Sequence, residues 1–180
     1  MTGCLGMLIS SLSTMLVAQE HQGSGRVTLV GEILDSACAL DVNSAYQVID
    51  MDLLSMGSLI RHNVGELRAF SLRLIKCSLT RPDPGRPGTN LPDWQHVRVT
   101  FDGVTDSGGR YFAALGTASG LALRITDWRG QESIPGVPMP IISLSGNDQE
   151  LRYSLQLVGN GRSMVVGSHR TALRFRLEYF

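Results

Sequence analysis

Net charge is the first thing this chain lacks. Sixteen basic residues balance sixteen acidic ones among 180, and the charges are dispersed. A dispersed neutral surface lacks the basic stripe of a nucleic-acid binder and gives no strong pull toward an anionic membrane. Catalytic signatures are missing as well. The four histidines, His21, His62, His96 and His169, show no metal-ligand spacing. No Gly-x-Ser-x-Gly elbow, phosphate-binding loop or HExxH helix occurs. Asp50 and Asp52 alternate with Met51, as solvated acids at a turn or strand edge do. No catalytic activity, cofactor, metal or small-molecule substrate is expected. Long helices are missing too, because no segment carries an extended capped 3.6-residue pattern. Gly57 and Gly65 limit any helix in residues 55–68 to a short one.

A membrane-length apolar run is absent, but a shorter one opens the chain. Residues 1–18 contain no Asp, Glu, Lys or Arg, and the apolar part, residues 5–17, falls short of the about 20 residues that span a bilayer. It fits the apolar region of a secretory signal peptide ending at Ala18, although it lacks a basic start and carries the large Leu16 near the cut. The alternative is a buried N-terminal helix. Cysteine is scarce, at three residues. Cys4 would leave with the signal peptide, so Cys38 and Cys77 remain as a pair. In an exported chain an even count reads as one disulfide; if the export reading fails, two buried free thiols are the alternative.

Period-two alternation fills the rest. Val27 and Leu29 alternate with polar neighbours; so do Phe70, Leu72 and Leu74; Val97, Val99 and Phe101; Leu121, Leu123 and Ile125; Leu151, Tyr153, Leu155 and Leu157; and Leu173, Phe175, Leu177 and Tyr179. Tyr46, Val48, Ile49 and Met51 belong to a short apolar run. Pro82, Pro84, Pro87 and Pro92 keep residues 81–93 out of a sheet interior. Asp102-Gly103, Ser107-Gly108-Gly109 and Asn160-Gly161 signal turns. Seven or eight short strands with one polar face each predict an all-β, two-sheet sandwich.

Both ends look unfinished. The last alternating strand runs to the final residue, where most chains fray. At the other end, a polar lead with Gly23 and Gly25 precedes the alternating Val27 and Leu29. Such a segment can pair with another subunit's exposed sheet edge, although a plain first strand would read the same way.

The run Gly25-Arg26-Val27-Thr28-Leu29-Val30-Gly31-Glu32-Ile33 leading to Cys38 is similar to the start of chaperone–usher pilins. Cys77 after Phe70-Ser71-Leu72-Arg73-Leu74, Gly167 fourteenth from the end and Tyr179 as penultimate residue match the same family. Residues 46–51, residues 97–104 and residues 139–147 most resemble the terminating, or anchoring, minor subunit of P-type pili. The resemblance implies an incomplete immunoglobulin-like sandwich that lacks its last strand and is completed by a donor strand. It divides the chain into a signal peptide (1–18), a donor-strand extension (19–31) and a pilin domain (32–180). Gly25, Val27, Leu29 and Gly31 would be the donor residues. Gly167, Phe175, Leu177, Tyr179 and Phe180 would form the C-terminal edge that a periplasmic chaperone captures. An outer-membrane usher and neighbouring pilins would be further partners, and the route would run through the periplasm to a surface pilus. Two other functions fit less of the sequence. One is an ordinary shaft or minor fimbrial pilin in cell adhesion. The other is a small carbohydrate-binding module with a complete sandwich, using Trp94 or Trp128.

Overall fold

The structure, a computed structural model, describes Thr28, residues 33–51 and residues 55–180. The chain divides into two units, residues 1–34 and residues 35–180. The proposed signal peptide and the residues Gly25, Val27, Leu29 and Gly31 lie outside the described residues. In the first unit the described Thr28, Ile33 and Leu34 are exposed.

The second unit is built of β1 (Ala39–Leu40), α1 (Val42–Ala45), α2 (Met56–His62), β2 (Val64–Ile75), β3 (Arg81–Pro82), β4 (Asn90–Leu91), β5 (His96–Gly103), β6 (Phe112–Ala113), β7 (Leu115–Gly116), β8 (Leu121–Asp127), β9 (Glu132–Ser133), β10 (Ile142–Ser143), β11 (Gln149–Gly159), β12 (His169–Arg170) and β13 (Leu173–Tyr179). One sheet runs β1-β2-β11-β8-β6, with β9 also on β8, and a second runs β10-β5-β13. The alternating runs become the long strands because one face of each reaches a shared core. Leu72 and Leu74 of β2, Ile125 of β8 and Leu151 and Leu157 of β11 meet Val97, Val99 and Phe101 of β5. Phe101 bridges the sheets, edge-on to Tyr153 at 4.9 Å and to Phe70 at 5.9 Å between ring centroids. T-shaped contacts of this kind add to what burial alone contributes.

Local sequence sets the short elements. Asp41 caps α1 by accepting the Asn43 N–H, and Ser55 caps α2 by accepting from Ser58. Asn63 ends α2 in the left-handed region at φ 58°, which Asn tolerates better than most residues. The proline-rich segment 81–93 forms only the two-residue ladder β3–β4, away from the main sheets, as missing N–H donors require. Two readings from sequence change. Asp102-Gly103 is not a tight turn, because Gly103 closes β5 opposite Leu173. The apolar run from Tyr46 to Met51 is not a strand, and Tyr46 and Val48 are exposed.

Cys38 and Cys77 are joined by a disulfide across 39 positions, beside the β1–β2 ladder that pairs Ala39 with Ile75. Closing such a loop stabilises by about 4 kcal/mol on the chain-entropy account. Replacing both cysteines by Ala is expected to lower the unfolding free energy by about that amount in denaturant titration. An unchanged midpoint would remove the bridge from the account of stability.

Candidate functional site

The two sheets leave a groove along β13. Its partner on one side is β5, with Phe175 opposite Phe101, Leu177 opposite Val99 and Tyr179 opposite Val97. Among the described residues, no strand pairs with its other edge. The consequence shows in burial. Val97, Val99 and Phe101 are 0%, 1% and 2% exposed, whereas Leu173, Phe175, Leu177 and Tyr179 on the neighbouring strand are only partly buried. The same alternation therefore gives a closed core on β5 and a half-covered one on β13.

The groove has a volume of about 700 Å³. Phe70, Leu72, Phe101, Leu123, Leu155 and Leu157 form its floor, with residues 44–51 and 169–173 among its lining. The rim at 44–51 hangs on the edge of β2 through side chains in place of a ladder. Ser44 Oγ accepts the Arg73 N–H at 2.9 Å, and Gln47 Nε2 donates to the Ser71 carbonyl at 3.0 Å. Residues 46–51 thus line the groove without forming a strand against β2. Covering what remains exposed of Phe175 and Leu177 is worth about 1 kcal/mol each.

The C-terminal tip is fixed firmly. Phe180 donates its N–H to the His96 carbonyl, and one carboxylate oxygen accepts from the N–H groups of Gln95 and His96, at 2.7 and 3.1 Å. Arg98 stands 4.7 Å from the Phe180 ring centroid and pairs with Glu178. Tyr179 packs edge-on against the buried Trp94 at 6.1 Å, and its hydroxyl donates to the Cys38 carbonyl at 3.5 Å. Arg81 lies 4.1 Å above Trp94 while Nε donates to Asp35 at 3.0 Å. Asp35, the first residue of the second unit, is thus connected through Arg81 and Trp94 to the end of β13. Trp94 is consumed by this packing and offers no face to a ligand.

Gly167, grouped by sequence with the terminal strand, precedes it. A Cβ there would stand 2.5 Å from the Ala118 nitrogen, so glycine permits residues 163–169 to lie against 117–119. That segment walls a second hollow of about 360 Å³, together with Met56 and Leu59 of α2; it shares Leu157 and His169 with the groove. Sequence reasoning missed the floor and rim as a unit, since only the pairing pattern reveals which apolar residues stay uncovered. No cluster of His, Cys, Asp or Glu able to hold a metal occurs among the described residues, and none of their helices is long and apolar enough to cross a membrane.

No protein-family model matches the chain. It is 38% identical over 155 residues to the PRS fimbrial minor pilin protein of Escherichia coli, covering 86% of this chain and 77% of that one. The chain belongs to the fimbrial pilins. It is also 31% identical over 163 residues to the PRS fimbrial major pilin protein of Escherichia coli, across 88% of this chain and 96% of that one. A subunit of a solved chaperone–usher pilus superimposes with a TM-score of 0.69 over 91% of this chain and 100% of its own, at 22% identity. That likeness gives the fold: the incomplete immunoglobulin-like sandwich of chaperone–usher pilins. This pilin is a structural subunit and not an enzyme.

Burial pushes the Tyr179 phenol up to about 12 and raises Tyr153 further, with the nearby Asp127 charge adding to the effect. An unfolded tyrosine ionises near pH ~10. The neutral phenols therefore stabilise the fold fully below pH ~10, and the Tyr179 contribution fades as pH rises through its folded value. Unfolding midpoints should fall between pH ~10 and ~12, and less steeply in Tyr179→Phe than in the native chain. Identical slopes would show that Tyr179 is not buried as described.

Proposed function

We propose that this pilin is a minor subunit assembled by donor-strand exchange, set at the base of the fibre, where it ends growth. The observation that carries the reading is the unpaired edge of β13, with Leu173 and Phe175 lining an apolar groove and Leu177 and Tyr179 partly buried farther along the same strand. An edge of this kind invites indiscriminate pairing, and a strand laid along it supplies both backbone partners and apolar cover. A periplasmic chaperone supplies that strand after the leader, residues 1–18, has directed export. The chaperone also captures the Phe180 carboxylate with basic side chains and delivers the subunit to the outer-membrane usher. The extension at residues 19–31 then enters the groove of the preceding pilin. Val27 and Leu29 fill apolar pockets, and Gly25 and Gly31 allow close backbone approach.

Two observations favour the terminating role over that of an ordinary shaft pilin. Identity is higher with a minor pilin than with a major one, at 38% against 31%. In addition, Met56 and Leu59 of α2 line a hollow that adjoins the groove at Leu157 and His169, and the terminating reading takes α2 as the element that closes this end to an entering strand. A terminator donates its own extension and accepts none.

The test is a donor-strand challenge on the subunit purified with its chaperone, using peptides that copy the N-terminal extensions of pilins from the same operon. The expected result is that no peptide displaces the chaperone, while a peptide of residues 19–31 enters a shaft subunit. Ready displacement would make this an ordinary polymerising pilin, and failure to form any chaperone complex would overturn donor-strand assembly itself.

A further inference from the structure

Trp128 has no part in the groove. It is 65% exposed, against 7% for Trp94, and it sits on a turn tied from inside. The buried Asp127 carboxylate accepts the N–H groups of Arg129 and Gln131, each at 2.8 Å, and Arg129 Nε at 3.1 Å. These bonds fix the turn that carries the indole, and the Arg129 guanidinium lies 5.2 Å from the ring centroid, which leaves the opposite face for a ligand. Beside it, on the outer face of the larger sheet, lies a hollow of about 450 Å³ lined by Ala69, Ser71, Trp128, Glu150, Arg152 and Ser154 among others.

Register explains the hollow. Arg152 lies opposite Ser71 and Ser154 opposite Ala69, while Tyr153 lies opposite Asp127 on β8, which brings Trp128 to the neighbourhood of Arg152. Small residues thus make a floor between the large side chains Trp128, Arg152 and Glu150. Arg152 Nε donates to Glu150 at 2.9 Å. The Ser71 hydroxyl and Arg152 hold the Glu150 carboxyl below the usual range, so it stands as an ionised acceptor at neutral pH.

We propose that this hollow binds a hexopyranose unit of a polysaccharide, with Trp128 as the stacking platform. A pyranose has an apolar C–H face and a rim of hydroxyls. The negative face of an indole attracts polarised hydrogens, and Glu150, Arg152, Ser71 and Ser154 supply the acceptor and donors that a hydroxylated rim needs. A few polar groups around an aromatic wall are the usual make-up of a small-ligand site. A second protein subunit fits less well, because the middle of a protein interface is depleted in charged residues and an ion pair occupies this one. The site is separate from β13 and does not depend on strand exchange.

Tryptophan emission of the full chain, titrated with oligosaccharides of glucose, galactose, mannose and N-acetylglucosamine, tests the proposal. At least one series should give a saturable shift, because Trp128 is the exposed fluorophore. Glu150→Gln or Arg152→Ala should weaken that binding about tenfold, the loss of one charge-assisted hydrogen bond. Trp128→Ala should abolish sugar-dependent protection in a parallel thermal-shift assay while keeping the unfolding midpoint of the sugar-free chain. Absence of a saturable response to every series, or binding that survives Trp128→Ala, would overturn the proposal. Self-association that vanishes in Trp128→Ala, seen by sedimentation without sugar, would reassign the surface to a second copy of this chain and equally overturn it.

Discussion

The unmatched edge of β13 is the constraint on which the rest of this molecule depends. A strand in a sandwich is stabilised from two sides, by ladder partners and by the facing sheet. Here the first is half supplied. The β5 ladder holds seven residue pairs from Leu173 to Tyr179, yet the apolar side chains that these pairs align remain only partly covered. Their neighbours on β5 are sealed to 2% exposure or less. Two strands of one sheet, with the same alternation, thus differ in burial because one of them still needs a partner.

The remaining features keep the edge presentable. A free C-terminal strand would ordinarily fray. Backbone bonds between Phe180 and residues 95–96 prevent this, and the stack of Asp35, Arg81, Trp94 and Tyr179 braces the same end. The disulfide closes the base of β1 beside it. On the opposite rim, Ser44 and Gln47 tether residues 44–51 to β2 without supplying a full ladder. The edge is therefore held at its tip and left unpaired along its length among the described residues.

Much of this was legible in the sequence, for physical reasons. Period-two alternation located β2, β5, β8, β11 and β13, because each lines a core on one face. The cysteine pair gave the bridge once Cys4 was set aside. The apolar run from Tyr46 to Met51 was less readable, since a groove rim and a strand carry the same side chains and differ only in whether a ladder partner exists. Asp102-Gly103 has the local chemistry of a turn, but pairing with Leu173 overrides it. The two tryptophans look alike in sequence, both beside loops. Only the fold separates a buried brace, Trp94, from an exposed side chain, Trp128. Gly167 matched the family's spacing, yet its place is a close crossing against Ala118 and not the terminal strand.

Amide hydrogen exchange along residues 173–179 tests the central claim most directly. In a strand paired on one side, about half of the N–H groups point to the empty edge. These alternate amides should exchange fast in the uncomplemented chain and become protected when the chaperone lays its strand along the edge, while their neighbours, bonded to β5, stay protected throughout. Uniform protection of every amide before any strand is added would mean that β13 already has its second partner, and the account would fail.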